Sequence, residues 1–297
     1  MSTLIADCGS TKVEWAIIHT DRSDSAPNDT SVFRTTGFNA AITPADEIAR
    51  LLSEELAPAI AGANITRLHF YGAGCIGGDT DRRLLSLMRA ILPDAEIEIQ
   101  GDLLGAARAL FGHNPGIACI LGTGSNCGMY DGNAITLNTP PMGYILGDEG
   151  SGAVLGRNLV NLVFKQPGLL PDEIVTDFDT TYGLSKADII QRVYRQPGAN
   201  RFLASFCPFI SKHITHPAMR RLVAGSFRDF LIANLPVSAS PEGQTTVDCA
   251  DMPIGFVGSI AFHFSEILAE ACAAFGLDAP VILPAPLKAL AAYHLSR

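Results

Sequence analysis

One short turn occurs twice in this chain, and it constrains the fold more than any other feature. The first copy is Leu4-Ile5-Ala6-Asp7-Cys8-Gly9-Ser10-Thr11-Lys12, and the second is Ala118-Cys119-Ile120-Leu121-Gly122-Thr123-Gly124-Ser125-Asn126. In each, an apolar run ends abruptly in Gly, Ser and Thr. In each, a second strand-like stretch follows, Val13 to His19 and Cys127 to Tyr130. The pattern predicts a hairpin whose turn is too small and too polar for ordinary packing. Glycine lets the backbone approach an anion, and successive backbone N–H groups with Ser and Thr hydroxyls can line a phosphate site. Two such turns suggest two halves closing on one polyphosphate.

The pattern around the turns supports two α/β halves. Thr3–Asp7, Val13–His19 and Ser31–Thr35 read as strands, and Pro44 opens a helix with Ile48, Leu51, Leu52 and Leu56 at helical spacing. Strand Leu68–Tyr71, a helix after Asp79 and Thr80, strand Glu96–Ile99 and helix Leu103–Phe111 complete a β-β-β-α-β-α-β-α order. His113-Asn114-Pro115-Gly116 is the best boundary, and the pattern then restarts with strands Ile117–Leu121, Cys127–Tyr130 and Ile135–Asn138. Helices are expected at Ser151–Phe164, Lys186–Arg195, Asn200–Phe206 and Pro217–Asn234. A polar loop at Pro236 to Gly243, strand Pro253–Val257, helix Ser259–Phe275, strand Val281–Leu283 and helix Leu287–Leu295 follow. The domains expected are 1–115, 116–285 with a helical insertion, and a terminal helix at 286–297. Alternation of this kind implies layered α/β lobes.

Composition narrows the function. With 30 acidic and 21 basic residues the net charge is -9, which argues against a nucleic-acid partner. No apolar run reaches the roughly 20 residues that span a bilayer, and the chain enters a strand at once, so neither a membrane nor a signal peptide is expected. The seven scattered cysteines form no C-x-x-C pair, which suits reduced thiols in the cytoplasm and argues against zinc or iron–sulfur. His213 and His216 read as solvated rather than metal-ligating.

Four further segments carry candidate chemistry. Asp7 closes an apolar strand beside the first turn, where it can hold hydrated Mg²⁺ or simply cap the strand. Asp102, in Gln100-Gly101-Asp102-Leu103, follows a strand at the expected N-cap of a helix; it is either a cap or a general base. Gly143-Tyr144-Ile145-Leu146-Gly147-Asp148-Glu149-Gly150-Ser151 places two acids among glycines before a helix, a tight backbone whose carboxylate could accept from neighbouring sugar hydroxyls. Gly255-Phe256-Val257-Gly258-Ser259 is strand, glycine and helix start, a pattern that can host a nucleotide. Asn39, after Thr36-Gly37-Phe38, is a loop amide that binds a ligand or makes a turn.

Together these segments resemble the sugar-kinase/Hsp70/actin ATPase superfamily. Within it the chain resembles the BadF/BadG/BcrA/BcrD-type ATPases and, most closely, the N-acetylglucosamine kinase family. The resemblance spans nearly the whole chain and rests on Asp7-Cys8-Gly9-Ser10-Thr11-Lys12, Gly122-Thr123-Gly124-Ser125-Asn126-Cys127 and Gly147-Asp148-Glu149-Gly150-Ser151, with Asp102 between the first two. It implies two ribonuclease-H-like lobes with ATP in an interlobe cleft. It further implies that Gly9, Ser10, Thr11 and Lys12 hold phosphates together with Gly122, Thr123, Gly124 and Ser125. Asp7 would lie near Mg²⁺, through water. Gly258 and Ser259 would lie near the adenosine, and Asn39, Thr123, Gly143 and Asp148 would bind the sugar. Asp102 would be the base on the sugar 6-hydroxyl. Met142 stands where the animal members carry Trp. The implied activity is phosphorylation of N-acetylglucosamine, or of glucosamine or an N-acetylmuramic-acid-type sugar, by a cytoplasmic homodimer whose terminal helix returns to the first lobe. An ATPase switch acting on a protein partner is the alternative.

Overall fold

The structure is a computed structural model that describes residues 2–19, 30–235, 237–239, 245–247 and 251–295. It divides into two compact units: Met1–Asn114 with Gly132–Ala134 and Ala285–Arg297, and Pro115–Asp131 with Ile135–Pro284. Each is built on one five-stranded sheet, which confirms the α/β class.

In the N-terminal unit, β1 (Ser2–Cys8), β2 (Lys12–His19) and β3 (Thr30–Thr36) form an antiparallel meander. Helix α1 (Ala45–Leu51) continues through a π-helical turn (Leu52–Leu56) into α2 (Ala57–Ala59). Then come β4 (Ile65–Gly72), α3 (Gly78–Ile91), β5 (Glu96–Gly101) and α4 (Asp102–Phe111). The strand order β3-β2-β1-β4-β5 makes β1 central, and β1 pairs in parallel with β4. A central strand is covered on both faces, which explains its unbroken apolar run. Leu4, Ala6 and Cys8 face one core with Val13, Trp15, Ile48 and Leu84. Ile5 faces the other with Ala16, Ile18 and Tyr71, where Leu287, Leu290 and Ala291 of the terminal helix cover it. The indole of Trp15, buried in the first core, donates to Thr35 Oγ1 at 2.9 Å, so its polar edge is satisfied.

In the C-terminal unit, β6 (Gly116–Leu121), β7 (Ser125–Tyr130) and β8 (Ile135–Asn138) form the second meander. A helical stretch follows: α5 (Gly143–Leu146), α6 (Gly152–Lys165), α7 (Asp172–Tyr182), α8 (Lys186–Arg195), α9 (Ala199–Ala204), α10 (Cys207–Lys212) and α11 (Pro217–Asn234). Next come the small hairpin β9 (Val237–Ala239) and β10 (Thr245–Val247), β11 (Ile254–Val257), α12 (Ser259–His263), α13 (Ser265–Ala274) and β12 (Val281–Leu283). The order β12-β11-β6-β7-β8 again makes the strand before the turn central.

Four expectations need correction. Helices α5, α7 and α10 lie outside the expected helices; Ile174 and Phe178 of α7 and Phe209 and Ile210 of α10 enter the core. Within the expected loop Pro236 to Gly243, Val237–Ala239 is a strand paired with Thr245–Val247; Pro236 and residues 240–243 lie outside the described residues, as does Cys249. The expected helix Ser259–Phe275 breaks at Phe264, where φ is -114° and ψ 30°. The bend lets Ile260, Phe264 and Ile267 all reach one core. His213 is not simply solvated: its Nε2 meets Asp177 Oδ2 at 2.7 Å, while His216 Nδ1 accepts from the Ala218 N–H.

Candidate active site

The N-terminal unit gathers one group of candidates at the carboxyl ends of three parallel strands. Cys8, Gly72 and Gly101 are neighbours across β1, β4 and β5. Chain ends of this kind are where open α/β sheets bind ligands. Asp7 lies on the β1 face shared with Ile5 and is paired with Tyr71 on β4. Helix α4 crosses the same face closely because Gly105 has no side chain: a Cβ there would sit 2.8 Å from Tyr71 Cγ. This approach brings Asp102 within electrostatic reach of Asp7. Burial first, then repulsion from Asp102 and Glu14, pushes the Asp7 carboxyl up to about 7, with Lys12 pulling the other way. Burial pushes Asp102 up to about 6 against the backbone N–H groups of Leu103 and of Asp102 itself.

Asp102 is not the N-cap of α4. Gly101 takes that position, and Asp102 is the first helical residue, its Oδ1 accepting the Leu103 N–H at 2.8 Å. The first turn closes through Gly9 N–H to Lys12 O, at 3.0 Å, and Gly37 seals it from β3 by donating to Thr11 O at 3.2 Å. A side chain at Gly37 would overlap the Lys12 amide and the Gly9 carbonyl. Lys12 Nζ turns to Glu14, 3.0 Å away, which Arg34 also holds. Burial pushes the Glu14 carboxyl up, but Lys12 and Arg34 outweigh it and keep it below its usual range.

Asn39 sits above the same strand ends. Its Oδ1 accepts the Ala41 N–H at 3.0 Å and its own N–H donates to Thr43 Oγ1 at 3.1 Å. That leaves its Nδ2 group as the donor it can offer a ligand. Gly74, with φ +78°, makes room for it, since a Cβ there would overlap Asn39 Oδ1. Gly37, Gly74 and Gly105 escaped the sequence reading because each answers a contact with a distant segment.

The C-terminal unit gathers a second group. Gly122 N–H donates to Gly124 O at 3.0 Å, closing the turn, and the Gly152 and Ala153 amides of α6 donate to Gly122 O and Thr123 O at 2.8 and 3.2 Å. The first amides of α6 therefore hold the turn from behind, and Ser151 caps the helix through Val154 N–H. Asp148 adopts φ +56°, the only non-glycine with positive φ among the described residues. Its Oδ1 accepts from Ser125 N–H at 3.4 Å. Burial raises the Asp148 carboxyl and the Ser125 amide opposes the rise. Gly258 packs on the main chain of Leu121, which accounts for its missing side chain, and Ser259 opens α12. Gly143 opens α5, with open space where its side chain would be, beside exposed Met142, Ile145 and Leu146.

Among the described residues no three His, Cys, Asp or Glu side chains gather to hold a metal ion, and no helix is long and apolar enough to cross a membrane.

This geometry can be set beside that of known proteins. A solved structure from Porphyromonas gingivalis, provisionally assigned as an N-acetylglucosamine kinase, is 41% identical over 99% of each chain, with a TM-score of 0.87. The chain belongs to the N-acetylglucosamine kinase family. That family consists of ATP-dependent sugar kinases, and the similarity covers both units. A Chromobacterium violaceum protein with the same provisional assignment shares the fold at 16% identity, covering 100% of this chain and 99% of its own, with a TM-score of 0.66. Hexokinase from Schistosoma mansoni, solved with glucose, shares it more distantly, at 13% identity, 100% and 85% coverage and a TM-score of 0.50. Comparison with protein-family models and with curated proteins gave no match.

Proposed function

We propose that this member of the family transfers the γ-phosphoryl group of ATP to the 6-hydroxyl of an amino sugar, N-acetylglucosamine first among them. The observation that carries the reading is Asp102. A largely buried carboxyl at the carboxyl end of a parallel sheet, pushed up to about 6, is ionised at neutral pH yet still basic enough to accept a hydroxyl proton. A sugar hydroxyl is a weak nucleophile, and accepting its proton as it attacks is the help that a positioned carboxylate gives.

The remaining roles follow from the chemistry each segment offers. Backbone amides and hydroxyls of Gly9, Ser10, Thr11 and Lys12, and of Gly122, Thr123, Gly124 and Ser125, would hold the phosphates. Gly258 and Ser259 would lie along the adenosine. Asn39 would donate to a sugar oxygen, while Asp148 would accept from sugar hydroxyls near Thr123 and Gly143. Asp7 fits a hydrated Mg²⁺: its charge is opposed by two acids and relieved by Lys12 alone, and a divalent cation would relieve it further. Bound MgATP would supply the phosphoryl group and spread its charge. The chain's own residues orient the acceptor, take its proton and exclude water, which would otherwise compete with the sugar.

A coupled ADP-release assay over N-acetylglucosamine, glucosamine, N-acetylmuramic acid and glucose tests the reading. Sugar-dependent release with the highest kcat/KM for N-acetylglucosamine is expected. Release indifferent to every sugar would point instead to an ATPase that works on a protein partner.

A further inference from the structure

The second turn contains two glycines that the sequence treats alike, and the structure separates them. A Cβ built on Gly122 meets nothing within 4 Å, whereas one built on Gly124 would sit 3.0 Å from Asp148 Oδ2 and 3.4 Å from its Cγ. Neither glycine has a positive φ, so neither is required for backbone conformation. Gly124 leaves space beside its Cα, and the group closest to that space is the Asp148 carboxylate, which a methyl group would push by a few tenths of an ångström.

Three other features hold that carboxylate in place. Asp148 sits in the left-handed region at φ +56°, its carbonyl accepts the Ser151 N–H at 3.1 Å, and Ser125 N–H donates to its Oδ1 at 3.4 Å. The start of α6 is tied to the turn by Gly152 N–H to Gly122 O and Ala153 N–H to Thr123 O. The Asp148 loop and the turn are therefore one assembly, and the face of Gly124 is its seat.

We infer that Gly124 is a positioning residue for the sugar side of the site: its missing side chain seats the Asp148 carboxylate against the Ser125 amide. The inference rests on the reading of Asp148 as a sugar ligand. It separates two duties within one turn, with main-chain amides for phosphate and a bare Cα face for the acid that orients the acceptor. A methyl group at Gly124 moves the carboxylate rather than the turn, because the turn is fixed from behind by the α6 amides while the atoms it would meet are the far end of the Asp148 side chain.

The test is a double-mutant cycle with Gly124→Ala, Asp148→Ala and the pair, read in sugar KM, ATP KM and melting temperature. Gly124→Ala is expected to raise sugar KM roughly tenfold, and by a larger factor than ATP KM, the size of effect that follows from displacing one charged hydrogen-bond acceptor. In the Asp148→Ala background, where the obstructing carboxylate is gone, adding Gly124→Ala should change sugar KM and melting temperature by little. An equal rise in both backgrounds, or a rise confined to ATP KM, would overturn the inference. If Gly124→Ala alone does not fold, a folded Gly124→Ala/Asp148→Ala protein supports the contact, and a pair that is also unfolded overturns it. Wild-type protein without sugar-dependent turnover would remove the function reading instead, while the melting-temperature cycle would still report on the contact.

Discussion

The two hairpin turns begin from nearly the same sequence and end in different surroundings. The first is sealed by Gly37 at the end of β3, and the acids near it, Asp7 and Asp102, stand on sheet and helix ends where burial raises both carboxyls. The second is tied to the start of α6, and its acid, Asp148, also raised by burial, arrives from a loop and is met by the Ser125 amide of the turn itself. A buried acid with a raised pKa suits proton transfer. An acid fixed by an amide on a loop suits recognition. The lesson is that a repeated motif fixes the local hairpin, while its neighbours decide what the hairpin is used for.

The largest effect should fall on the first side. Asp102→Asn is expected to lower kcat by about 10²–10⁴ with little change in sugar KM. In the wild type, kcat/KM should fall as pH drops below about 6, where Asp102 takes up its proton. A variant that kept near-normal turnover would break the comparison. On the second side, Asp148→Asn should act mainly on sugar KM, raising it roughly 10–100-fold as a charged acceptor is lost. A loss confined to kcat would show that the two acids are not divided as described.

Two stability measurements sharpen the contrast. Gly37→Ala should destabilise the protein by about 1–3 kcal/mol in denaturant unfolding, because a methyl group there overlaps the main chain of the first turn. Gly122→Ala, with open space around it, should have a small effect. Asp7→Asn should be stabilising, by about 1–2 kcal/mol at pH 8. The sign follows from the raised carboxyl: the native state holds this proton more tightly than the unfolded chain. Wild-type stability therefore falls as pH rises from near 3.8 through about 7, and Asn escapes that loss. At pH 4 the two proteins should melt alike, and the same variant should lose the added stability that Mg²⁺ and ATP give together.

Much of this was legible in the sequence because its punctuation is local. The strands of the N-terminal half alternate with clear stops at Gly9, Gly72 and Gly101, and the element order read from them is the order along the chain, while the sheet order β3-β2-β1-β4-β5 carries no such local mark. The two turns, Asp102 and the Asp148 loop stood out for the same reason. What escaped was tertiary. Nothing near Phe264 marks a break; the helix bends because two apolar faces must reach one core. Helix α7 is the exception, because Pro171-Asp172-Glu173 is a local helix-start signal. Asp177 and His213 are separated by the whole of α8, α9 and α10, so their pairing has no signature in spacing. Asp102 at the first helical position instead of the N-cap is a shift of one residue, within the ordinary uncertainty of a helix end.

The most direct test of the central claim is the identity of the product. Wild-type protein incubated with ATP, Mg²⁺ and N-acetylglucosamine should release one ADP for each phosphosugar formed, with the phosphorus coupled to the C6 methylene protons in two-dimensional NMR. ADP without a phosphosugar, or phosphorus coupled to the anomeric proton, would contradict the account.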